Sequence, residues 1–180
     1  MAKSRYEKYI VRKPAVFTKQ KAAQYQDMKM EVPEVTPVKT PDTGPLILWA
    51  PQLKEGAHQI IEYGIITGDL TVGDGSPGTF KPMKTFNDDG IFFLLLGTNP
   101  KDLNDLGAEA EFYMGEGETL EKVIITTPSC VYVPPGTARW PMIWRNVKRP
   151  VIFVVFVPKF TESTRTEPVS PEGRPMYRPA

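Results

Sequence analysis

Residues 108–157, AEAEFYMGEGETLEKVIITTPSCVYVPPGTARWPMIWRNVKRPVIFVVFV, decide the fold class of this 180-residue chain. Apolar or alternating segments of strand length follow one another there, separated by turn sequences such as GEGE and PPG. Glycine and proline break helices but serve the turns between strands. The stretch therefore predicts a succession of short β-strands.

The same pattern extends toward the N-terminus, where turns such as GDGSPG and GTNP separate further strand candidates. Nineteen prolines and fourteen glycines are spread through the chain, and no long helical pattern interrupts it. The sequence therefore predicts an all-β domain, closed as a barrel or folded as a sandwich. The predicted strands are Leu46–Trp49, His58–Ile66, Gly90–Leu96, Ala108–Met114, Glu121–Thr126, Cys130–Val133, Met142–Trp144 and Pro150–Val157.

The two ends of the chain differ from this strand-rich region. The segment EVPEVTPVKTPDTGP (31–45) carries a proline at every fourth position, a spacing that forbids a helix or a central strand. We expect residues 1–45 to form an extended Pro-rich arm that lies on the surface or on a neighbouring subunit. Residues 159–180 are polar and Pro-rich and are predicted to be a tail, which leaves 46–158 as the barrel domain.

Charge and hydropathy restrict the classes of partner. The chain has 22 Lys and Arg residues against 21 Asp and Glu residues, a net charge of +1. Nothing in this balance drives binding to nucleic acid or anionic lipid, so neither is a predicted partner. The longest apolar runs, Ile91–Leu96 and Val151–Val157, have strand length and are too short to span a bilayer. With no signal sequence apparent, a cytoplasmic location is predicted.

One histidine, His58, and one cysteine, Cys130, limit the chemistry further. A metal centre built on two or three histidines of one chain is excluded, and so is an intrachain disulfide. A metal would have to be held mainly by carboxylates. Cys130 lies in a predicted strand with no histidine near it in sequence, so it is predicted to be buried and inert.

Residues 78–97 resemble the first motif of the cupin superfamily, G-x5-H-x-H-x3-E-x6-G. Gly78 and Gly97 match the two flanking glycines. The positions of the family's two histidines and its glutamate are occupied by Lys84, Phe86 and Gly90. The glycine spacing is therefore kept while the metal ligands are replaced.

Residues 128–143 resemble the second cupin motif, G-x5-P-x-G-x2-H-x3-N. Pro134 and Gly136 supply its P-x-G, and Arg139 occupies the position of the histidine. The resemblance covers roughly residues 45–158. It implies a jelly-roll β-barrel and a homodimer, in which the N-terminal arm could add a strand to the partner's sheet.

The replaced positions indicate what the barrel lacks. In the family the two histidines, the glutamate and the later histidine converge on a divalent metal. A lysine and an arginine repel a dication, and phenylalanine and glycine offer no side-chain donor. A metal-free barrel without a cofactor is therefore predicted. The alternative is a relocated metal site made from His58 and carboxylates at Asp88, Asp89, Glu109 or Glu111.

Two cations facing into a barrel need a negative charge beside them. The resemblance therefore suggests a pocket for a small carboxylate or phosphate, with Arg139 as the bidentate contact and Lys84 as a point charge. Phe86, Trp140 and Trp144 would form its walls.

Other interpretations stay open at this level. Arg139 could form a structural salt bridge with Glu109 or Glu111 and leave no ligand site. The chain could also be an enzyme, either a metal enzyme with relocated ligands or a metal-independent isomerase or lyase in which a tyrosine or carboxylate moves a proton. A third possibility is a structural subunit that partners a metal-bearing cupin. Alternation places His58 and Tyr63 on opposite strand faces, which disfavours them as an acid–base pair.

Overall fold

The computed structural model describes residues 46–49, 59–73, 82–159, 161 and 163–169. The predicted arm, His58 and Gly78 lie outside these ranges, as do residues 170–180 of the predicted tail. Within them the chain forms eleven β-strands and one short 3-10 helix, Gly117–Thr119. No helix in these ranges is long and apolar enough to cross a membrane.

The strands are β1 (Leu46–Trp49), β2 (Ile60–Ile66), β3 (Leu70–Val72), β4 (Met83–Phe86), β5 (Ile91–Gly97), β6 (Glu109–Met114), β7 (Glu121–Ile125), β8 (Ser129–Val133), β9 (Arg139–Arg145), β10 (Val151–Val157) and β11 (Arg165–Pro168). All eight predicted strands are present. The strands not predicted, β3, β4 and β11, have only three or four residues. Strand β11 pairs with β4, so part of the predicted tail joins a sheet.

The strands form two antiparallel sheets. The first has the order β1-β2-β10-β5-β8, and the second has the order β11-β4-β9-β6-β7, with β3 also pairing with β9. From β4 to β10, every connection except the hairpin β6–β7 crosses between the sheets, and the late strands β9 and β10 insert between earlier ones. This interleaved Greek-key order is that of a jelly roll. The predicted cupin-type jelly-roll fold is confirmed.

The core between the sheets is rich in aromatic rings. Phe93 on β5 is 1% exposed, and its ring centroid lies 5.5 Å from that of Phe112, 5.2 Å from Trp140 and 5.8 Å from Phe153. Such tilted and offset contacts at 4.5–7 Å are the favoured geometries of aromatic pairs. The middle of the barrel is therefore filled with side chains.

Cys130 lies on the outer face of the first sheet. Alternation along β8 directs Val133 into the core and leaves Cys130 exposed. The prediction of a buried cysteine is wrong, because the length of the strand and its apolar neighbours do not reveal which face each residue occupies.

Candidate functional site

In strand β4, the residues that face the interior are not the ones that the motif spacing predicts. Met83 and Thr85 are buried, 7% and 6% exposed, whereas Lys84 and Phe86 are half-buried on the other face. Met83 pairs directly with Arg139 of β9, so these two share a face. The prediction that Lys84 and Phe86 face the interior is therefore wrong by one residue. Thr85 occupies the interior position instead.

Lys84 and Phe86 have partners on the outer face of the second sheet. The Lys84 ammonium group forms an ion pair with Glu116, in the turn after β6. The guanidinium carbon of Arg165, on β11, lies 4.4 Å from the centroid of the Phe86 ring, which is cation–π geometry. The structure therefore does not bring either residue together with Arg139.

A β-bulge in β9 directs Arg139 inward. Phe112 of β6 pairs with Met142 of β9. Met114 lies two residues after Phe112 in β6, but its partner Arg139 lies three residues before Met142 in β9, so β9 contains one extra residue. Trp140 and Pro141 are the two β9 residues within the bulge, and Pro141 has no N–H to donate to the ladder. Without the extra residue, alternation from Met142 would direct Arg139 outward. Four successive residues, Arg139–Met142, are buried as a result.

The buried Arg139, a residue that is 6% exposed, contacts a threonine hydroxyl. Its Nη2 donates a hydrogen bond of 2.9 Å to Oγ1 of Thr85. That oxygen lies 3.3 Å from Oγ1 of Thr166 on β11. A guanidinium carries five N–H donors in a planar fork, and Thr85 accepts from one of them. The group is thus held in a fixed orientation at the end of the barrel formed by β4, β9 and β11.

Trp140 and Trp144 both face the interior. Trp140, at a φ of +82°, packs its ring 5.2 Å from Phe93 and 5.7 Å from Phe112. Trp144 lies five residues from Arg139, roughly 16 Å along an extended strand, so one small anion cannot contact both. Its Nε1 is buried and has no hydrogen-bond partner among the described residues. Of the predicted walls, Trp140 adjoins Arg139 and Trp144 belongs to another part of the core.

Sequence reasoning missed Thr85 and the bulge. The signal for the bulge was Pro141 within an otherwise strand-like run, since proline is confined to edges and bulges. The signal for Thr85 was weaker, because each face of the strand MKTF (83–86) carries one apolar residue, Met83 on one and Phe86 on the other. The sequence therefore does not indicate which face is buried.

The interior residues at this end do not fit the divalent metal that the cupin resemblance implies. Met83, Thr85 and Arg139 offer a thioether, a hydroxyl and a cation, none of which is a usual ligand for such an ion. In the part of the chain that the structure describes, no group of three or more His, Cys, Asp or Glu side chains is placed to hold a metal.

The carboxylates of the relocated-site alternative lie elsewhere. Asp88 forms an ion pair with Lys159 on the surface. Glu109 and Glu111 project from the outer face of β6, because Ala110 and Phe112 take the inner face. Glu111 accepts a hydrogen bond of 2.9 Å from Nε of Arg145. The salt bridge suggested between Arg139 and these glutamates is therefore made by Arg145 instead.

The Glu111 cluster on the outer face has a defined electrostatic character. The hydrogen bond from Arg145 lowers the pKa of Glu111, and the charges of Arg145 and Lys122 act in the same direction. Burial and the neighbouring carboxylate raise the pKa of Tyr113. These shifts have a structural cause, an ion pair across β6 and β9, and involve no group inside the barrel.

A Glu111→Gln variant is expected to be slightly less stable at neutral pH, by less than about 1 kcal/mol, because exposed ion pairs are screened by solvent. A carboxyl group whose pKa is lowered in the folded state stabilises the fold above its unfolded pKa, and this contribution disappears as the pH falls through the lowered folded pKa. Urea unfolding of both proteins should therefore converge in acid and in high salt. A difference that persisted in acid would contradict this account.

Comparisons with known proteins concern the fold alone. No protein-family model matches the chain, and no curated protein matches it. It is similar to CapF, the capsular polysaccharide assembling protein of Staphylococcus aureus, with 9% identity and a TM-score of 0.40 over 61% of this chain and 26% of CapF. The chain therefore spans about a quarter of that protein's length.

Two further solved structures carry descriptions of the fold. A protein with a double-stranded β-helix domain from Klebsiella pneumoniae has 10% identity and a TM-score of 0.42, over 78% of this chain and 97% of that one. A cupin-2 domain from Rhodospirillum rubrum has 9% identity and a TM-score of 0.39, over 73% and 68%.

Proposed function

We propose that this cupin-type barrel is a metal-free binding module that holds a small carboxylate or phosphate at Arg139. The observation that carries the proposal is the bulge in β9, which turns a buried arginine toward the end of the barrel. Bulges are conspicuous next to binding and active sites, where they redirect one side chain. The φ of +82° at Trp140, beside the arginine, is of the kind that concentrates at functional sites.

The chemistry of this end suits a small anion. A guanidinium binds a carboxylate or phosphate through two parallel hydrogen bonds, and burial strengthens the attraction by lowering the effective dielectric constant. Thr85 orients the Arg139 fork, and the Thr166 hydroxyl lies within reach of the same region. The adjacent Trp140 indole supplies a flat apolar wall. Because aromatic rings fill the middle of the barrel, the ligand must be small.

Binding is favoured over catalysis by the residues around Arg139. General acid–base chemistry needs a titratable group within hydrogen-bonding reach of the substrate. The described neighbours Met83, Thr85, Thr166 and Trp140 supply none near neutral pH.

A second candidate function is that of a structural subunit without a ligand. The packed interior favours it, since Phe93 contacts three other rings and leaves the middle of the barrel closed. In that case Arg139 would serve only the packing of β4 against β9.

Arg139→Gln is expected to weaken anion binding at least about thirtyfold, because it removes two charge-assisted hydrogen bonds to the anion. Arg139→Lys, which keeps the charge but not the fork, should weaken it about tenfold. Isothermal titration calorimetry with inorganic phosphate and a panel of short mono- and dicarboxylates measures this. Native mass spectrometry of the purified protein tests for a retained anion.

Lys84→Gln is the matched control, because this cation lies on the same strand pair but faces outward toward Glu116. It should bind the anions as the unmodified chain does. Equal binding by the Arg139→Gln protein would overturn the proposal. If the folded chain binds none of these anions at millimolar concentration, the structural-subunit function stands instead.

A further inference from the structure

The arginine of the proposed anion site is buried more completely than a freely accessible binding residue would be. Arg139 is 6% exposed, and its guanidinium donates a hydrogen bond to Oγ1 of Thr85 on β4. The rings in contact with Phe93 fill the middle of the barrel, so entry through the core would require them to separate. A site this buried needs an element that moves to admit a ligand.

Strand β11 is the element at the edge of the sheet beside this arginine. It pairs with β4, and Thr166 is directly opposite Thr85, so these two residues share the interior face. Their Oγ1 atoms are 3.3 Å apart. Contacts therefore run from Arg139 to Thr85 and on to Thr166. Separation of β11 from β4 would uncover the interior side of Thr85, where the guanidinium lies.

Strand β11 is attached less firmly than the other strands that enclose the core. It has four residues, of which three are exposed, and it pairs with a neighbour on one side only. Strand β10, by comparison, has seven residues and pairs on both sides. Arg165 of β11 forms its ion pair with Glu167 of the same strand. Segments with exposed backbone hydrogen bonds and few buried contacts open locally at a fraction of the free energy of global unfolding.

The two ends of β11 are anchored, which defines its closed position. Val169, directly after the strand, is 6% exposed, and its N–H donates a hydrogen bond of 2.8 Å to the carbonyl oxygen of Pro82. Directly before the strand, Thr164 is also 6% exposed. The Arg165 guanidinium lies over the Phe86 ring. A short strand with buried anchors at both ends returns to the same register each time it closes.

We propose that β11 is the gate of the anion site, which separates from β4 to admit the ligand and then closes with the Thr166 hydroxyl beside it. As a gate for a ligand it rests on the proposed function, although the movement of β11 does not depend on which molecule enters. Closure excludes water from the guanidinium and its anion, and this strengthens their attraction.

A disulfide between β4 and β11 would lock the gate. Lys84 and Glu167 are directly opposite on the outer face of the pair. Opposite residues of antiparallel strands have Cα atoms about 4.5–5.5 Å apart, a separation that a disulfide spans. The Lys84→Cys/Glu167→Cys variant is made together with Cys130→Ser, because Cys130 is the chain's one native thiol. The cross-link then forms on oxidation and is removed by a reducing agent.

Phenylglyoxal, which modifies arginine side chains, measures access to Arg139, and mass spectrometry of the peptides assigns the modified residues. Oxidation should slow the modification of Arg139 at least about thirtyfold, because the cross-link holds β11 on β4. Arg145 lies on the same strand as Arg139, and its side chain is 51% exposed. It should react at the same rate in the oxidised and reduced proteins.

Tyr113→Cys/Lys122→Cys, in the same Cys130→Ser background, is the matched control. These residues are also directly opposite on the second sheet, but they join β6 to β7. Their cross-link should leave the rate at Arg139 unchanged. If both cross-links slowed Arg139 equally, the reagent would reach it through unfolding of the whole chain, and the gate would be overturned.

Val169→Ala tests the gate in the opposite direction and needs no disulfide. Removing the two methyl groups weakens the buried anchor after β11, so modification of Arg139 should become about tenfold faster. Circular dichroism checks that the variant folds. An unchanged rate in the folded variant would overturn the gate.

The reagent requires no ligand, so the gate and the proposed function can fail separately. Protection of Arg139 by inorganic phosphate in the reduced protein supports both. If the lock protects Arg139 but the reduced protein binds no anion in calorimetry, the gate stands and the binding function is overturned. If Arg139 reacts equally fast with and without the lock, the gate is overturned, and phosphate protection would leave the binding function in place.

Discussion

Replacing Phe93 with alanine is expected to lower the free energy of unfolding by about 3–5 kcal/mol, the range for removing a large buried aromatic side chain. Phe93 is 1% exposed and its ring contacts three others, from β6, β9 and β10. Those rings belong to both sheets, so they cannot close over the space without shifting the sheets. Urea unfolding at one fixed protein concentration measures the change.

Two further substitutions serve as comparisons for the loss of stability in Phe93→Ala. Phe93→Leu keeps most of the apolar volume and should cost less than about 2 kcal/mol. Leu103→Ala, at a residue that is 81% exposed, should change the stability by no more than about 0.5 kcal/mol. If Phe93→Ala cost less than about 1 kcal/mol, the interior would not be closely packed, and the inference that only a small ligand fits beside Arg139 would fail.

The packed core and the proposed site meet at Trp140. Its ring lies against Phe93 and Phe112, while the preceding residue, Arg139, donates a hydrogen bond to the Thr85 hydroxyl of β4. The bulge thus places the buried Arg139 and its Thr85 partner beside the aromatic core. A ligand at Arg139 would contact the edge of the core rather than enter it.

Much of the fold could be predicted from the sequence, because the longer strands carry their own signal. Strands β5 and β10 are seven residues of nearly unbroken apolar sequence between turns. Strands β4 and β11 are different, with four residues each and sequences of MKTF and RTEP. Such short polar strands exist through backbone pairing with their neighbours, which sequence periodicity does not report.

The candidate site could be predicted only in part, for two physical reasons. Glycine spacing aligns turns but does not determine which face a strand turns inward, and a slip of one residue exchanges the faces. This is why Lys84 was expected where Thr85 lies. In β9 the bulge breaks the alternation itself, so Arg139 and Trp140 both face inward although they are consecutive. The prediction that Arg139 faces the interior is confirmed, but it followed from the position of Arg139 in the second motif and not from the alternation along β9.

Gly97→Ala is expected to destabilise the chain by at least about 3 kcal/mol, the upper part of the range for overpacking. An alanine Cβ at this position would overlap the carbonyl oxygen of Asp105 and lie 3.0 Å from its carbon and 3.2 Å from Cα of Leu106. All three are backbone atoms, so no side-chain rotation relieves the clash. The close approach explains why the motif spacing retains glycine here, at the end of β5.

The segment that Gly97 contacts cannot easily move away. The Asp105 carboxylate accepts hydrogen bonds from the Gly107 N–H at 2.8 Å and from Nδ2 of Asn99 at 2.9 Å, and Leu106 is fully buried. Gly68→Ala is the control, because no atom lies within 4 Å of the added methyl group, and it should alter the stability by at most about 0.5 kcal/mol. Urea unfolding compares the two. Equal stabilities would mean that the loop after β5 shifts freely, and the tight contact between this loop and β5 would then have no energetic role.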